Sequence, residues 1–196
     1  MSGSSERPEN RGGLERWERT GDDGVEDFGI FRVRRFRARS PRTGQDRPFT
    51  RVETGDWVNV VATTPDDGVV LVRQFRHGVE EFTLEIPGGI VDAGEPPARA
   101  ATRELLEETG YAGDEPELLG VVDPNPAILD NRCYTYRIRN ARPVATLSLD
   151  PGEDIEVVTL PRAQIRAAVA DGRIRHALVV VAFWWDEGSR DVPSGR

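Results

Sequence analysis

Cysteine is almost absent from this 196-residue chain. Cys133 stands alone, which excludes an intramolecular disulfide framework and leaves no thiolate cluster for a structural zinc site. A reducing, cytoplasmic setting is the matching expectation. Lysine is missing altogether, so all 26 basic residues are arginine, whose planar, permanently charged forks bind phosphate or carboxylate through paired hydrogen bonds. Acids outnumber bases by 34 to 26, a formal net charge of −8 with a pI near 4.9. That balance disfavours a surface for the phosphate backbone, so no nucleic-acid partner is expected. Long apolar runs are missing too: the longest, Ala177 to Trp185, is too short to span a bilayer, and the polar start MSGSSERPENRGG has no apolar signal core. Neither a membrane nor a secretory destination is expected.

What is present reads as one compact domain with a smaller β-rich region before it. Residues 1–13 read as a disordered arm, 14–54 as an N-terminal antiparallel β-region, 55–186 as the main domain and 187–196 as a tail. From Phe28, apolar and arginine residues alternate with one irregularity, predicting a strand with one wet face, and Phe49 to Glu53 pairs back on it after a turn at Pro41 to Gly44. Strands are predicted at Trp57 to Thr63 and Val69 to Arg73, separated by Pro65-Asp66-Asp67-Gly68, and again at Phe82 to Ile86. At Pro87-Gly88-Gly89 the chain is expected to turn sharply. A helix then runs from Pro96-Pro97, suited to a first turn, to Gly110, suited to a C-terminal stop, with Ala98, Ala101, Leu105 and Thr109 as its apolar stripe. Further strands are predicted at Glu117 to Val122, Cys133 to Arg139 and Ile155 to Leu160. Helical segments follow from near Pro161 and from His176 to Trp185. The class is α+β, a mixed β-sheet sandwiched between helices.

The chemistry concentrates on the helix before Gly110. Glu104, Glu107 and Glu108 stand at i, i+3 and i+4, on one face of about one turn. At about 5 Å and an effective dielectric near 20, each close pair repels by roughly 3 kcal/mol. A solvated acidic face relieves this, and so does a hard divalent cation, because magnesium prefers carboxylate oxygen and keeps waters it can exchange for phosphate. The surroundings favour the cation. From Gly89 the order is five residues, Glu95, seven residues, then Arg103, Glu104, Leu105, Leu106, Glu107, Glu108, Thr109, Gly110, Tyr111. This resembles the Nudix hydrolase box, GX5EX7REUXEEXGU with U apolar, at every fixed position; a chance match at a given start is about 10⁻⁸ at average residue frequencies. Tyr111 is aromatic where an aliphatic residue is usual.

The resemblance implies a Nudix fold and a magnesium-dependent (Mg2+) diphosphate hydrolase, with manganese (Mn2+) as the alternative cofactor. It implies Glu104 and Glu108 as metal ligands, Glu107 as a member of the same cluster with a part in catalysis, and the Gly88 carbonyl as a further ligand. Gly88 and Gly89 allow close backbone approach. Glu95 and Arg103 form a brace for the glutamates, although Arg103 also reads as an ordinary surface arginine. The resemblance also implies that a carboxylate outside the box deprotonates the attacking water. Glu153 is the leading candidate as base or additional ligand, with Asp154 and Asp150 as substitutes, because the acid usual two places before Glu153 is here Pro151; a plain polar loop is the competing reading.

Val69 to Arg76 and Leu84 to Gly89, with Pro126 fifteen residues past Tyr111, resemble the branch that cleaves ADP-ribose and nucleoside diphosphate sugars. Asp123 to Asn131 differs from the Ser-Pro-Gly type common in ADP-ribose pyrophosphatases, which leaves sugar and base open. Arg73 and Arg76 either contact diphosphate or pair with Glu85. Trp57 either stacks on a base or belongs to the core. Asn125, Asn131 and Pro126 are candidates for the substrate pocket, though asparagine in a turn has a local explanation. His77 and His176 have no metal-ligand spacing and receive no role. The resemblance also implies a homodimer through the N-terminal strands. An inactive nucleotide-sugar sensor and an enzyme of nucleoside triphosphates or dinucleoside polyphosphates are the competing functions.

Overall fold

The computed structural model describes residues 13–149, 152 and 154–191. The N-terminal arm up to residue 12, Asp150, Pro151, Glu153 and residues 192–196 of the tail lie outside the described residues. The chain divides into two compact units, Met1–Glu53 and Thr54–Arg196.

The first unit is a three-stranded antiparallel meander: β1 Glu18–Asp27, β2 Arg32–Arg39 and β3 Asp46–Glu53. Two expectations need correction. The strand predicted from Phe28 begins at Arg32, because Phe28 to Phe31 form the β1–β2 connection, where Gly29 takes φ 82°. No strand was expected at Glu18–Asp27, since its sequence, ERTGDDGVED, has no apolar alternation. Its acids instead answer the arginines of β2 across the ladder: Arg34 bonds Asp22 at 2.9 Å and Arg37 lies 3.1 Å from Asp23. Glu53 receives both Arg34 and Arg51, and these bonds hold its carboxyl at about 2. Phe49 stacks on Phe36 and meets the edge of Trp17, with ring centroids 5.7 and 5.2 Å apart.

The second unit is built on a seven-stranded mixed sheet. Its central order is β12 (Ile155–Pro161), β5 (Gly68–Arg76), β4 (Trp57–Thr63), β10 (Cys133–Ile138), β9 (Glu117–Val122). Only β10 and β4 are parallel. Helix α1 (Pro97–Thr109) covers one face; α2 (Arg162–Ala170) and α3 (Ala177–Asp191) cover the other. Side-chain alternation divides the core accordingly: Val58, Val60, Ala62 and Val70 meet Ala101 and Leu105 of α1, while Val61, Val69 and Leu71 meet Ile165, Val179 and Phe183. The expected sandwich of a mixed sheet between helices is the arrangement found. A two-residue ladder, β8 (Tyr111–Ala112) with β11 (Arg142–Pro143), closes the end of α1.

Two features of this unit shape the site. Strands β4 and β5 pair only at Ala62–Val70 and Thr63–Val69, then separate. Beyond the fork β5 pairs with β6 (Glu81–Glu85) and β4 with β7 (Gly88–Ile90). The second feature is a buried ion pair that sequence reading did not isolate. Arg137 on β10 donates to Asp186 on α3 at 2.6 Å, Arg162 of α2 reaches the same carboxylate, and Asp186 is fully buried. It ties α2 and α3 to the sheet.

Candidate functional site

The sharp turn expected at Pro87-Gly88-Gly89 is a short strand, β7, in which Gly88 and Gly89 pair with Asn59 and Val58. Neither glycine has positive φ, so their small size serves close approach rather than backbone freedom. A Cβ on Gly88 would run into the Val58 carbonyl oxygen, and one on Gly89 into the Glu104 carboxylate. Helix α1 thereby lies directly against β7. The Gly88 N–H donates to Glu108 Oε2 at 2.9 Å.

Pro96 and Pro97 open α1 and Gly110, at φ 72°, closes it with an N–H bond to the Leu106 carbonyl at 2.8 Å, as the sequence predicts. The buried stripe differs from the expected one: Ala98 is only half-buried and Ala100 takes its place, and Glu104 and Glu108, 9% and 4% exposed, join Ala101, Leu105 and Thr109. Glu107 does not share that burial; its side chain is 43% exposed. Three residues at i, i+3 and i+4 span enough of the helix circumference for the first and last to face β7 while the middle one stands at the rim.

Arg103 is a brace with more partners than expected. It donates to both Glu95 oxygens at 3.3 and 3.0 Å, to Glu104 Oε1 at 2.9 Å, to Glu107 Oε2 at 3.0 Å and to the Ile90 carbonyl at 3.1 Å. The Glu95 bonds lead in raising its already high pKa, and reciprocally Arg103 holds the Glu95 carboxyl below the ordinary range. One guanidinium thus relieves part of the repulsion along the glutamate row. Among the described residues no group of three or more His, Cys, Asp or Glu side chains stands together as a metal cage. Two buried carboxylates with oxygen-only donors nonetheless fit magnesium, which typically takes one or two protein carboxylates and completes its shell with water and substrate phosphate.

A cavity of about 920 Å³ opens in the fork between β4 and β5. Trp57, Val58 and Asn59 line it from β4, together with Arg76, Glu85, Gly88 and Gly89. The last two touch Glu108 and Glu104, so β7 links the cavity to two carboxylates that are not themselves among its lining residues. Of the two arginines proposed for diphosphate, Arg76 is on the cavity wall, where Glu85 accepts both arms of its fork at 2.9 and 2.8 Å. Burial opposes ionisation of Glu85, yet the bonds from Arg76 and Thr83 outweigh it and keep its carboxyl below the ordinary range. Arg73 instead pairs with Glu156 at 3.2 Å and lies over the Phe82 ring; standing three residues from Arg76 on β5, it faces the opposite side of the sheet.

Asn125 and Pro126 sit on an exposed turn closed by bonds from Ile128 and Leu129 to the Asn125 carbonyl, and neither is among the described residues lining the cavity. Asn131 is buried and donates to the Gly55 carbonyl at 3.1 Å. Glu153 and Asp150 lie outside the described residues; Asp154 is exposed at the start of β12. Cys133 is buried, which pushes its thiol up to about 12. The sequence offered no sign that His176 would line the cavity, because its place there depends on where the N-terminus of α3 lands on the sheet.

A sequence profile of the NUDIX domain matches residues 54–180. Among curated proteins, the chain is similar to a methanol dehydrogenase activator of Bacillus methanolicus (30% identity, covering 64% of this chain and 68% of that protein). It is similar also to an ADP-sugar pyrophosphatase of Mus musculus (33%, covering 61% and 62%) and an ADP-ribose pyrophosphatase of Mycobacterium tuberculosis (31%, covering 77% and 73%). Among solved structures, an ADP compounds hydrolase superposes with a TM-score of 0.81 at 23% identity, over 90% of this chain and 95% of the other, a likeness of fold. With the box complete from Gly89 to Tyr111 and the profile spanning well over half its length, this chain belongs to the Nudix family.

Proposed function

We propose that this protein is a divalent-metal-dependent hydrolase that cuts the diphosphate of ADP-ribose or another nucleoside diphosphate sugar into nucleoside monophosphate and sugar phosphate. The observation that carries this reading is the burial of Glu104 and Glu108 against a strand of two glycines that also line a cavity of about 920 Å³. The names of the mouse and mycobacterial relatives support the substrate class.

Glu104 and Glu108 would hold magnesium, or manganese in its place, with Glu107 and the Gly88 carbonyl as further ligands. The bound metal neutralises the adjacent phosphates and lowers the pKa of water. The Gly88 N–H fixes one oxygen of Glu108 and Arg103 fixes one of Glu104, so both carboxylates are oriented before substrate arrives. Glu153 takes the proton of the attacking water, with Asp154 or Asp150 as substitutes. As the new oxygen–phosphorus bond forms, the bridging phosphorus–oxygen bond breaks and its electrons leave with the second phosphate. Arg76, Trp57, Asn125 and Pro126 are the proposed substrate contacts, and Arg73 the remaining candidate. A cytoplasmic location and a homodimer joined through the N-terminal sheet complete the reading; a solution mass near 22 kDa at micromolar concentration overturns the dimer. Among the described residues no helix is long and apolar enough to cross a membrane.

The test is product chromatography after incubation with magnesium and a panel of ADP-ribose, other nucleoside diphosphate sugars, diadenosine polyphosphates and nucleoside triphosphates. Monophosphate plus sugar phosphate, falling at least about a hundredfold in Glu108→Gln, is the expected result. Turnover of triphosphates alone, or tight binding without turnover, overturns it.

A further inference from the structure

The cavity in the β4–β5 fork carries two side-chain atoms that nothing in the structure satisfies. Asn59 Nδ2 and His176 Nδ1 are each buried and lack a hydrogen-bond partner, and both residues line the cavity. A buried polar atom without a partner is costly and rare in folded proteins, and two in one cavity mark a place where a ligand's polar groups belong. The charged residues of the same wall are already matched: Arg76 is held by Glu85 and Arg175 by Glu81. What is left unmatched is therefore one amide and one imidazole nitrogen, groups of the kind that bond hydroxyls. Asn59 is fixed in place by β4, with its Oδ1 facing Gly88. His176 is fixed at the start of α3, where its carbonyl accepts from Val179 and Val180, both at 3.0 Å.

We propose that Asn59 and His176 are specificity-determining residues that bind hydroxyl groups of the sugar half of the substrate, seated in the fork beside the diphosphate. The assignment rests on the hydrolase reading for its substrate class. It adds which half of the substrate the cavity takes and which side chains read it. Trp57, Ile86 and Leu178 give the cavity apolar walls, suited to the carbon face of a sugar ring, while the paired charges of Arg76 and Arg175 leave the cavity floor without a net attraction for a further phosphate.

The experiment compares two ligands of equal charge by calorimetry without metal, so that no turnover is needed: ADP-ribose, and the β-methyl ester of ADP, which has the diphosphate but no sugar. The unmodified protein is expected to bind ADP-ribose more tightly. His176→Phe and Asn59→Ala are each expected to weaken ADP-ribose roughly three- to tenfold, the loss of one hydrogen bond, and to leave the methyl ester unchanged. His176→Asn, which keeps a hydrogen-bonding group at the same distance from the backbone, is expected to retain most of the preference. Thermal melts establish that each variant is folded. Equal affinity of the unmodified protein for the two ligands, no measurable binding of ADP-ribose, or equal losses for both ligands in the variants overturns the proposal. Hydrolysis with magnesium is assayed alongside: a sugar preference without turnover upholds the pocket and overturns the hydrolase reading, so the two fail separately.

Discussion

In the stretch of chain through Glu53, the buried residues among those described are Ala38, Ser40 and Glu53, whereas β4 and β5 alone bury Val58, Val60, Val61, Ala62 and Val69 through Val72 at 1% exposure or less. One sheet is tied by arginine–carboxylate pairs across its ladder, the other by apolar side chains on both faces. Ion pairs at a surface contribute little each and are weakened by salt, while each buried aliphatic side chain contributes about 1.5–3 kcal/mol. The contrast teaches where this protein can afford chemistry. Only a unit with two closed apolar faces can hold carboxylates such as Glu104 and Glu108 nearly out of water and keep a forked cavity open beside them.

Substitutions at matching chemical types should separate the two regions. The largest effect on stability is expected for Asp186→Ala, which takes from the buried Arg137 its 2.6 Å partner, leaves it the longer 3.6 Å contact to Glu117 and costs about 3 kcal/mol; urea denaturation should show the midpoint falling sharply, while Asp22→Ala, at an exposed pair of the N-terminal sheet, leaves it unmoved. Next, Leu105→Ala removes a fully buried side chain from the α1 face and is expected to cost about 2–5 kcal/mol in the same measurement.

Gly88→Ala and Gly89→Ala sharpen the comparison inside the second unit. The first drives a methyl into the backbone of β4 and should lower the melting temperature; the second drives it into the Glu104 carboxylate and should cost hydrolysis at least about tenfold, with a smaller change in melting. A reversed order in paired melting and turnover assays would contradict the division of roles.

The smallest effect concerns pH. Glu53 is held at about 2 in the folded sheet, below its ordinary value near 4.5. Its contribution is therefore fully present above about 4.5 and is lost as pH falls toward 2. Hydrogen exchange at β2 and β3 amides should rise across that window, and Glu53→Gln should remove most of the rise.

Much of the second unit was legible because its signals are local. Prolines at the start of α1, Gly110 at its end and the β-branched runs of β4 and β5 each specify their own conformation. The first unit was less legible: Glu18–Asp27 is a strand only because β2 offers a ladder and matching arginines, a cause that lies on another strand, from Asp27↔Arg32 out to Glu18↔Arg39 in the register. Gly88 and Gly89 misled in another way, since glycine's usual meaning is a turn, whereas here it is the absence of a side chain between a strand and a carboxylate. At the site, Arg103's tie to Glu95 followed from the box, but its further bonds to Glu104, Glu107 and Ile90 depend on side-chain reach that spacing does not encode.

The amino-acid order by itself determined the family, the helix that carries Glu104, Glu107 and Glu108, and the α+β class, because caps, periodicity and a fixed residue spacing are properties of contiguous chain. Tertiary structure alone decided which of the three glutamates are buried, that Arg76 faces the cavity while Arg73 does not, and that Asn59 and His176, 117 positions apart in the numbering, line one cavity. Those outcomes are set by how far β4 and β5 separate and where α3 begins against them, distances that arise only when the sheet is packed.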